Sequence, residues 1–98
     1  MKLNIQSIHF DADAKLLDFV QKKLDKLDTF YDKIVEGDVS LKLQNTDANN
    51  KVVQVKLSIP GNDLIIKEEG TSFEEATDKA YESLKRQLTK HKERLAAY

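Results

Sequence analysis

Lys15, Lys22, Lys26 and Lys33 recur at intervals of seven, four and seven residues, and Lys79, Arg86, Lys90 and Arg94 at seven, four and four. Residues so spaced stack along one side of a helix, where like charges repel. That repulsion brings no structural return by itself, and the chemistry such rows can do is to bind a polyanion whose phosphates lie against them. On a wheel of about 100° per residue with Leu24 at zero, Lys15, Lys22, Lys26 and, if the last helical turn reaches it, Lys33 fall within about 20° of the opposite pole. Asp18, Asp25, Asp28 and Asp32 fall together on one flank, between about 40° and 120°. The first helix is thereby sorted into a lysine ridge and an aspartate ridge. In the second, Lys85 and Lys92 take the flank opposite Lys79, Arg86, Lys90 and Arg94, with Glu75, Glu82 and Glu93 on the outer pole between them. The ordinary alternative is a solvated surface whose Lys and Glu form weak pairs of about 0.3–0.5 kcal/mol. If both basic flanks lie side by side, Lys26 and Arg86 serve one continuous anion site.

The formal net charge of −1 hides this distribution. Residues 79–98 carry six basic residues against two acids, net +4, which leaves −5 for residues 1–78. Other chemistry is poorly provided for. Cysteine is absent, which excludes disulfides and thiolate metal sites. The two histidines, His9 and His91, are far apart in sequence, and no nucleophile–base pair or set of three or four metal ligands is visible. His91 falls on the apolar stripe of the second helix, where a half-buried packing role is the expectation. No enzyme activity, no metal and no cofactor are therefore expected. Phe19 lies on the flank that reaches round toward Lys22 and Lys26 and can stack on an exposed base. Packing between the helices is the favoured expectation for it, since large aromatics usually end in cores.

These side chains need elements to position them. Leu3, Ile5, Ile8 and Phe10 alternate with a slip near Ser7, which predicts a first strand with a bulge. Asp11 and Asp13 are candidate N-caps for a helix over about 13–31, with Leu17, Val20, Leu24, Leu27 and Tyr31 as its apolar stripe. Val39, Leu41 and Leu43 predict a second strand, and Val53, Val55, Leu57 and Ile59 a third. The polar segment Gln44 to Lys51 joins them as a long exposed loop. Pro60 to Asp63 turn the chain into a fourth strand, Leu64 to Glu69, and Ser72 with Glu75 forms a capping box for a helix reaching about residue 95. The expected architecture is α+β, in the order β-α-β-β-β-α. Its four-stranded mixed sheet has strands 1 and 2 parallel and carries both helices on one face. At this length a single domain spanning 1–98 is expected. No apolar run approaches the roughly 20 residues of a membrane span, so a soluble, cytoplasmic protein without membrane partners is expected.

The stretch Arg86 to Lys92, RQLTKHK, continuing into Glu93, Arg94 and Leu95, resembles the C-terminal helix of the short hibernation-promoting factors. That family of ribosome-associated inhibitors includes protein Y and the sigma-54 modulation proteins. Leu3, Asn4 and Ile5, then Phe19, Val20, Lys23, Lys26 and Leu27, lie at spacings the family shows without gaps, and Glu69 with Gly70 also match. The likeness covers essentially the whole chain and is weakest over residues 36–66. RQLTKHK is its specific motif.

The resemblance implies a fold similar to a double-stranded-RNA-binding domain with an added strand. It also implies binding to the phosphates of 16S rRNA in the decoding region of the 30S ribosomal subunit, across the paths of messenger and transfer RNA. Carried over by position, the RNA-contacting residues are Lys22 or Lys23, Lys26, Arg86, Lys90 and Lys92. The helical charge pattern adds Lys79 and Arg94. Ser83 departs from the family, whose members commonly have lysine there, and Lys79 stands where they commonly lack charge, which raises a shift of the contact set by one turn. The chain stops where long-form members continue into a dimerisation domain. A monomer when free is therefore expected, with any pairing of ribosomes left to a second factor. The rival reading, from a different class, is a non-enzymatic protein-interaction module that works through the acidic surface of residues 1–78.

Overall fold

Alternating apolar and polar residues seal one side of a sheet and leave the other wet. The computed structural model describes residues 1–44 and 50–96, with side chains as far as residue 94. The elements are β1 (Lys2–Ile8), α1 (Ala14–Asp25), a 3-10 turn (Lys26–Thr29), β2 (Glu36–Leu43), β3 (Lys51–Ile59), β4 (Asn62–Gly70) and α2 (Phe73–Ala96). The predicted order and mixed sheet are both present. The strands lie in the order β1-β2-β3-β4, with β1 parallel to β2 and the other pairs antiparallel.

The register sets Leu3, Gly37, Leu57 and Leu64 in one row and Ile5, Val39, Val55 and Ile66 in the next. Both rows belong to the face that meets the helices. Val39, Val55, Leu57 and Ile66 join Val20, Leu24 and Leu27 from the first helical segment and Ala76, Ala80, Leu84 and Leu88 from α2 in one core cluster. At Gly37 the close approach needs a missing side chain, since a Cβ would stand 2.6 Å from Leu3 Cδ2 and 2.9 Å from Leu57 Cδ2. The opposite face exposes Asn4, Asp38, Gln54, Lys56 and Lys67. There Asn4 Nδ2 donates to Asp38 Oδ1 at 3.1 Å across the parallel pair.

Three boundaries differ from the sequence reading. β1 pairs continuously with β2 up to Ile8 and has no bulge. The slip in its alternation marks the exit from the sheet, where His9 adopts φ 64° and Phe10 turns to stack on Phe73 with ring centroids 5.1 Å apart. Histidine is among the residues enriched in this left-handed region. The helix expected over 13–31 is α-helical only as far as Asp25. It then tightens, with the Phe30 amide and Thr29 Oγ1 donating to the carbonyls of Leu27 and Lys26. Lys33 therefore lies beyond the helix and leaves the lysine ridge. Finally, the turn between β3 and β4 shrinks to Pro60 and Gly61, with Ile59 opposite Asn62. Proline followed by a residue at positive φ, here Gly61 at 77°, is the pattern of a type II turn. The expected loop Gln44 to Lys51 lies largely outside the described residues, though the Gln44 amide donates to the Asn50 carbonyl at 2.9 Å at its base. The Leu95 side chain, the end of the predicted stripe, also lies outside them.

Candidate nucleic-acid interface

α1 begins where the Asp13 carboxylate accepts the Leu16 amide at 2.8 Å, which satisfies one of the free amides of the first turn. With Val20 and Leu24 fully buried, Lys15, Lys22 and Lys26 are turned to solvent. They line a groove together with Asp18, Phe19 and Lys23. Lys22 pairs with Asp18 at 2.9 Å, an exposed i,i+4 contact of small energetic weight. Lys26 has no ion pair among the described residues. Phe19 departs from the favoured expectation. It is half-buried in this groove and is not among the hydrophobics packed against the core cluster. The core side of α1 is already filled by Leu16, Val20 and Leu24, and Phe19 lies one step further round.

Lys22 and Lys23 were open alternatives from the resemblance, and their surroundings differ. The Lys23 ammonium lies 3.2 Å from Asp78 and 4.9 Å from the centroid of the Tyr81 ring, so it ties α1 to α2. Lys85 makes a similar tie in the other direction, with its ammonium 4.8 Å from the centroid of the Phe30 ring. Sequence reading placed Lys85 on a flank but missed this contact, because it depends on the turn of chain after α1. The edge-on packing of His91 against Tyr31, with centroids 5.4 Å apart, agrees with the half-buried packing role read from the wheel.

Glu75 anchors the start of α2. Its amide donates to Ser72 Oγ at 3.0 Å, and its carboxylate accepts the Thr71 hydroxyl at 2.6 Å. The Thr71 hydrogen bond, followed by Lys79, holds the Glu75 carboxyl below the usual carboxylate range. The capping box is therefore present with its return contact moved back one residue, from Ser72 to Thr71. Lys79 is engaged here too, 3.3 Å from Glu75 and donating to the Glu69 carbonyl at 3.0 Å.

Arg86, Lys90, Lys92 and Arg94 are exposed and have no ion pair among the described residues. They do not all share one place. Lys92 lines a cleft with residues 28–33. Lys90 and Arg94 line another with Asn62, Leu64, Gln87 and His91. Arg86 lies beside Glu68, Asp78, Lys79 and Glu82, and also next to Lys85, Thr89 and Lys90. Lys26 and Arg86 line different grooves, one on the first helical segment and the others on α2. α2 turns Tyr81 and Lys85 toward the first helical segment, and Asp78, which pairs with Lys23, also lines the groove of Lys79, Glu82 and Arg86.

The aspartate ridge meets a charge that residue types alone do not reveal. The Met1 ammonium lies 2.5 Å from Asp28 and 3.6 Å from Asp25, and its pKa is raised chiefly by the hydrogen bond to Asp28. Among the described residues, no cluster of three or more His, Cys, Asp or Glu is placed to hold a metal ion, and no helix is long and apolar enough to cross a membrane.

Residues 3–96 match the family described as Sigma 54 modulation protein / S30EA ribosomal protein. The chain is 32% identical over 94 residues to the ribosome hibernation promoting factor of Pseudomonas putida, covering 96% of this chain and 89% of that one. It is 33% identical over 94 residues to the ribosome hibernation promotion factor of Bacillus subtilis, covering 94% of this chain but 49% of that longer relative. A ribosomal subunit interface protein from Coxiella burnetii has the same fold, with a TM-score of 0.85 at 21% identity over 94% of this chain and 98% of its own.

Proposed function

The chain belongs to the Sigma 54 modulation protein / S30EA ribosomal protein family, and from that premise we propose that it is a ribosome hibernation factor. It binds 16S rRNA in the decoding region of the small ribosomal subunit and inhibits translation by occupying the paths of messenger and transfer RNA. The observation that carries this reading is a surplus of free positive charge on the helical layer. Lys15, Lys26, Arg86, Lys90, Lys92 and Arg94 are exposed and unpaired among the described residues. Some acids of the helical layer are engaged in internal contacts. Lys22 holds Asp18, Lys23 holds Asp78, Lys79 holds Glu75, and the Met1 ammonium holds Asp28. That pairing weighs against the rival in which the acidic 1–78 surface receives a protein partner.

The mechanism is stoichiometric. Lysine and arginine side chains displace the cations condensed around the RNA phosphates, and the bound protein fills space that translation needs. No step requires a cofactor or a catalytic group. It acts in the cytoplasm. Co-sedimentation with purified 30S particles tests the reading. The protein is expected to pellet with them at low salt, to be released at high salt, and to be excluded when messenger and transfer RNA already fill the decoding region. Pelleting that is indifferent to bound transfer RNA would place the site elsewhere.

A further inference from the structure

The groove on α1 combines two features that the phosphate-binding reading does not use together. Lys15, Lys22, Lys23 and Lys26 surround it with a single acid, Asp18, already held by Lys22. Its remaining lining side chain is Phe19, an aromatic left half-buried at the surface although the neighbouring α1 residues Val20 and Leu24 are fully buried. A lysine cluster alone suits any polyanion. A planar apolar ring set among the lysines suits one with flat groups between its charges, which is the chemistry of single-stranded RNA.

We propose that Phe19 stacks on an unpaired base whose flanking phosphates lie on Lys15, Lys22 and Lys26, so that this groove is a nucleotide subsite within the RNA-binding surface. The subsite rests on the function proposed above and adds a non-electrostatic component to it. Lys23 serves as a wall of the groove, since its ammonium is directed to Asp78 and Tyr81. Asp18 is the group a phosphate displaces from Lys22, and the exposure of that pair makes the exchange cheap.

The test measures binding to purified 30S particles across a salt series, using the full chain and four variants. Phe19→Ala and Phe19→Leu are each expected to weaken binding about tenfold, within the range known for loss of one base–aromatic stack. Their log K against log salt slope is expected to stay that of the parent, because no phosphate contact is removed. Phe19→Tyr keeps the ring and is expected to bind like the parent. Lys26→Ala is expected to weaken binding with a slope shallower by about one, the signature of a lost phosphate. Thermal melting of each variant checks that the fold is kept. If the parent binds with a steep slope while Phe19→Ala and Phe19→Leu bind equally well, the subsite is wrong and the phosphate reading stands. If Leu binds like Phe and only Ala is weak, the side chain acts as an apolar contact for protein, and the stacking proposal is overturned. Failure of the parent to bind 30S particles at all overturns both.

Discussion

At the scale of the residue, two lysines one turn apart in the first helical segment have different duties, and the difference can be measured. Lys26 is exposed and unpaired among the described residues, whereas Lys23 is held by Asp78 and the Tyr81 ring. Lys26→Glu is expected to weaken 30S binding more than tenfold, or about 1.4 kcal/mol, because it replaces an attraction with a repulsion. Its melting temperature should hardly move, since exposed charges contribute about 0–1 kcal/mol to folding. Lys23→Ala should instead lower thermal stability, because it removes an ion pair and a cation–π contact of about 0.5–1 kcal/mol. Equal melting temperatures for the two variants would contradict this division. Glu75 offers a pH-dependent counterpart. Its carboxyl is held below the usual range by Thr71 and Lys79, so the folded state favours the charged form. The stability this confers is present at neutral pH and is lost as pH falls below the ordinary value of 4.5 through the lowered folded one. Acid unfolding curves of Glu75→Gln are therefore expected to converge on those of the parent at low pH and to separate above it.

At the scale of the element, α1 positions the groove through its first turn. Asp13→Ala removes the side-chain acceptor for the Leu16 amide and should cost about 1 kcal/mol of stability, read as a lower denaturant midpoint at unchanged slope. A loss of less than about 0.3 kcal/mol would mean that burial of Val20 and Leu24 holds the helix start without the cap. The elements also mark where sequence periodicity stops being informative. The stripe Leu17, Val20, Leu24, Leu27 and Tyr31 has helical spacing throughout, yet the chain changes to a 3-10 turn at Lys26. Leu24 and Leu27 stay buried on either side of that change, so apolar spacing could not reveal it. The position of Lys33 could not be read for the same reason. Capping signals were legible because they are local. Asp13, and Ser72 with Glu75, each act within four residues of where they stand.

At the scale of the molecule, binding should behave as the sum of its free cations. If about five phosphates are neutralised, log K is expected to fall against log salt with a slope near −4, and a slope shallower than about −1 would show that charge does not drive association. Composition and alternation were enough to determine a β-α-β-β-β-α chain with one buried sheet face, because strand period, helix period and turn chemistry are properties of short segments. The sequence likewise determined that basic residues gather on the helices, since an amphipathic helix that buries its apolar stripe must expose the rest. Tertiary structure alone decided which charges remain free. Lys23 and Asp78 are 55 residues apart and meet only because α1 and α2 pack against each other on one sheet. The same packing turned Asp78, Tyr81 and Lys85 toward the first helical segment, placed Lys26 and Arg86 in different grooves, and left Phe19 half-buried among the α1 lysines. A helical wheel fixes angles about one axis, and the rotation of one helix against another is set by how their buried side chains interlock.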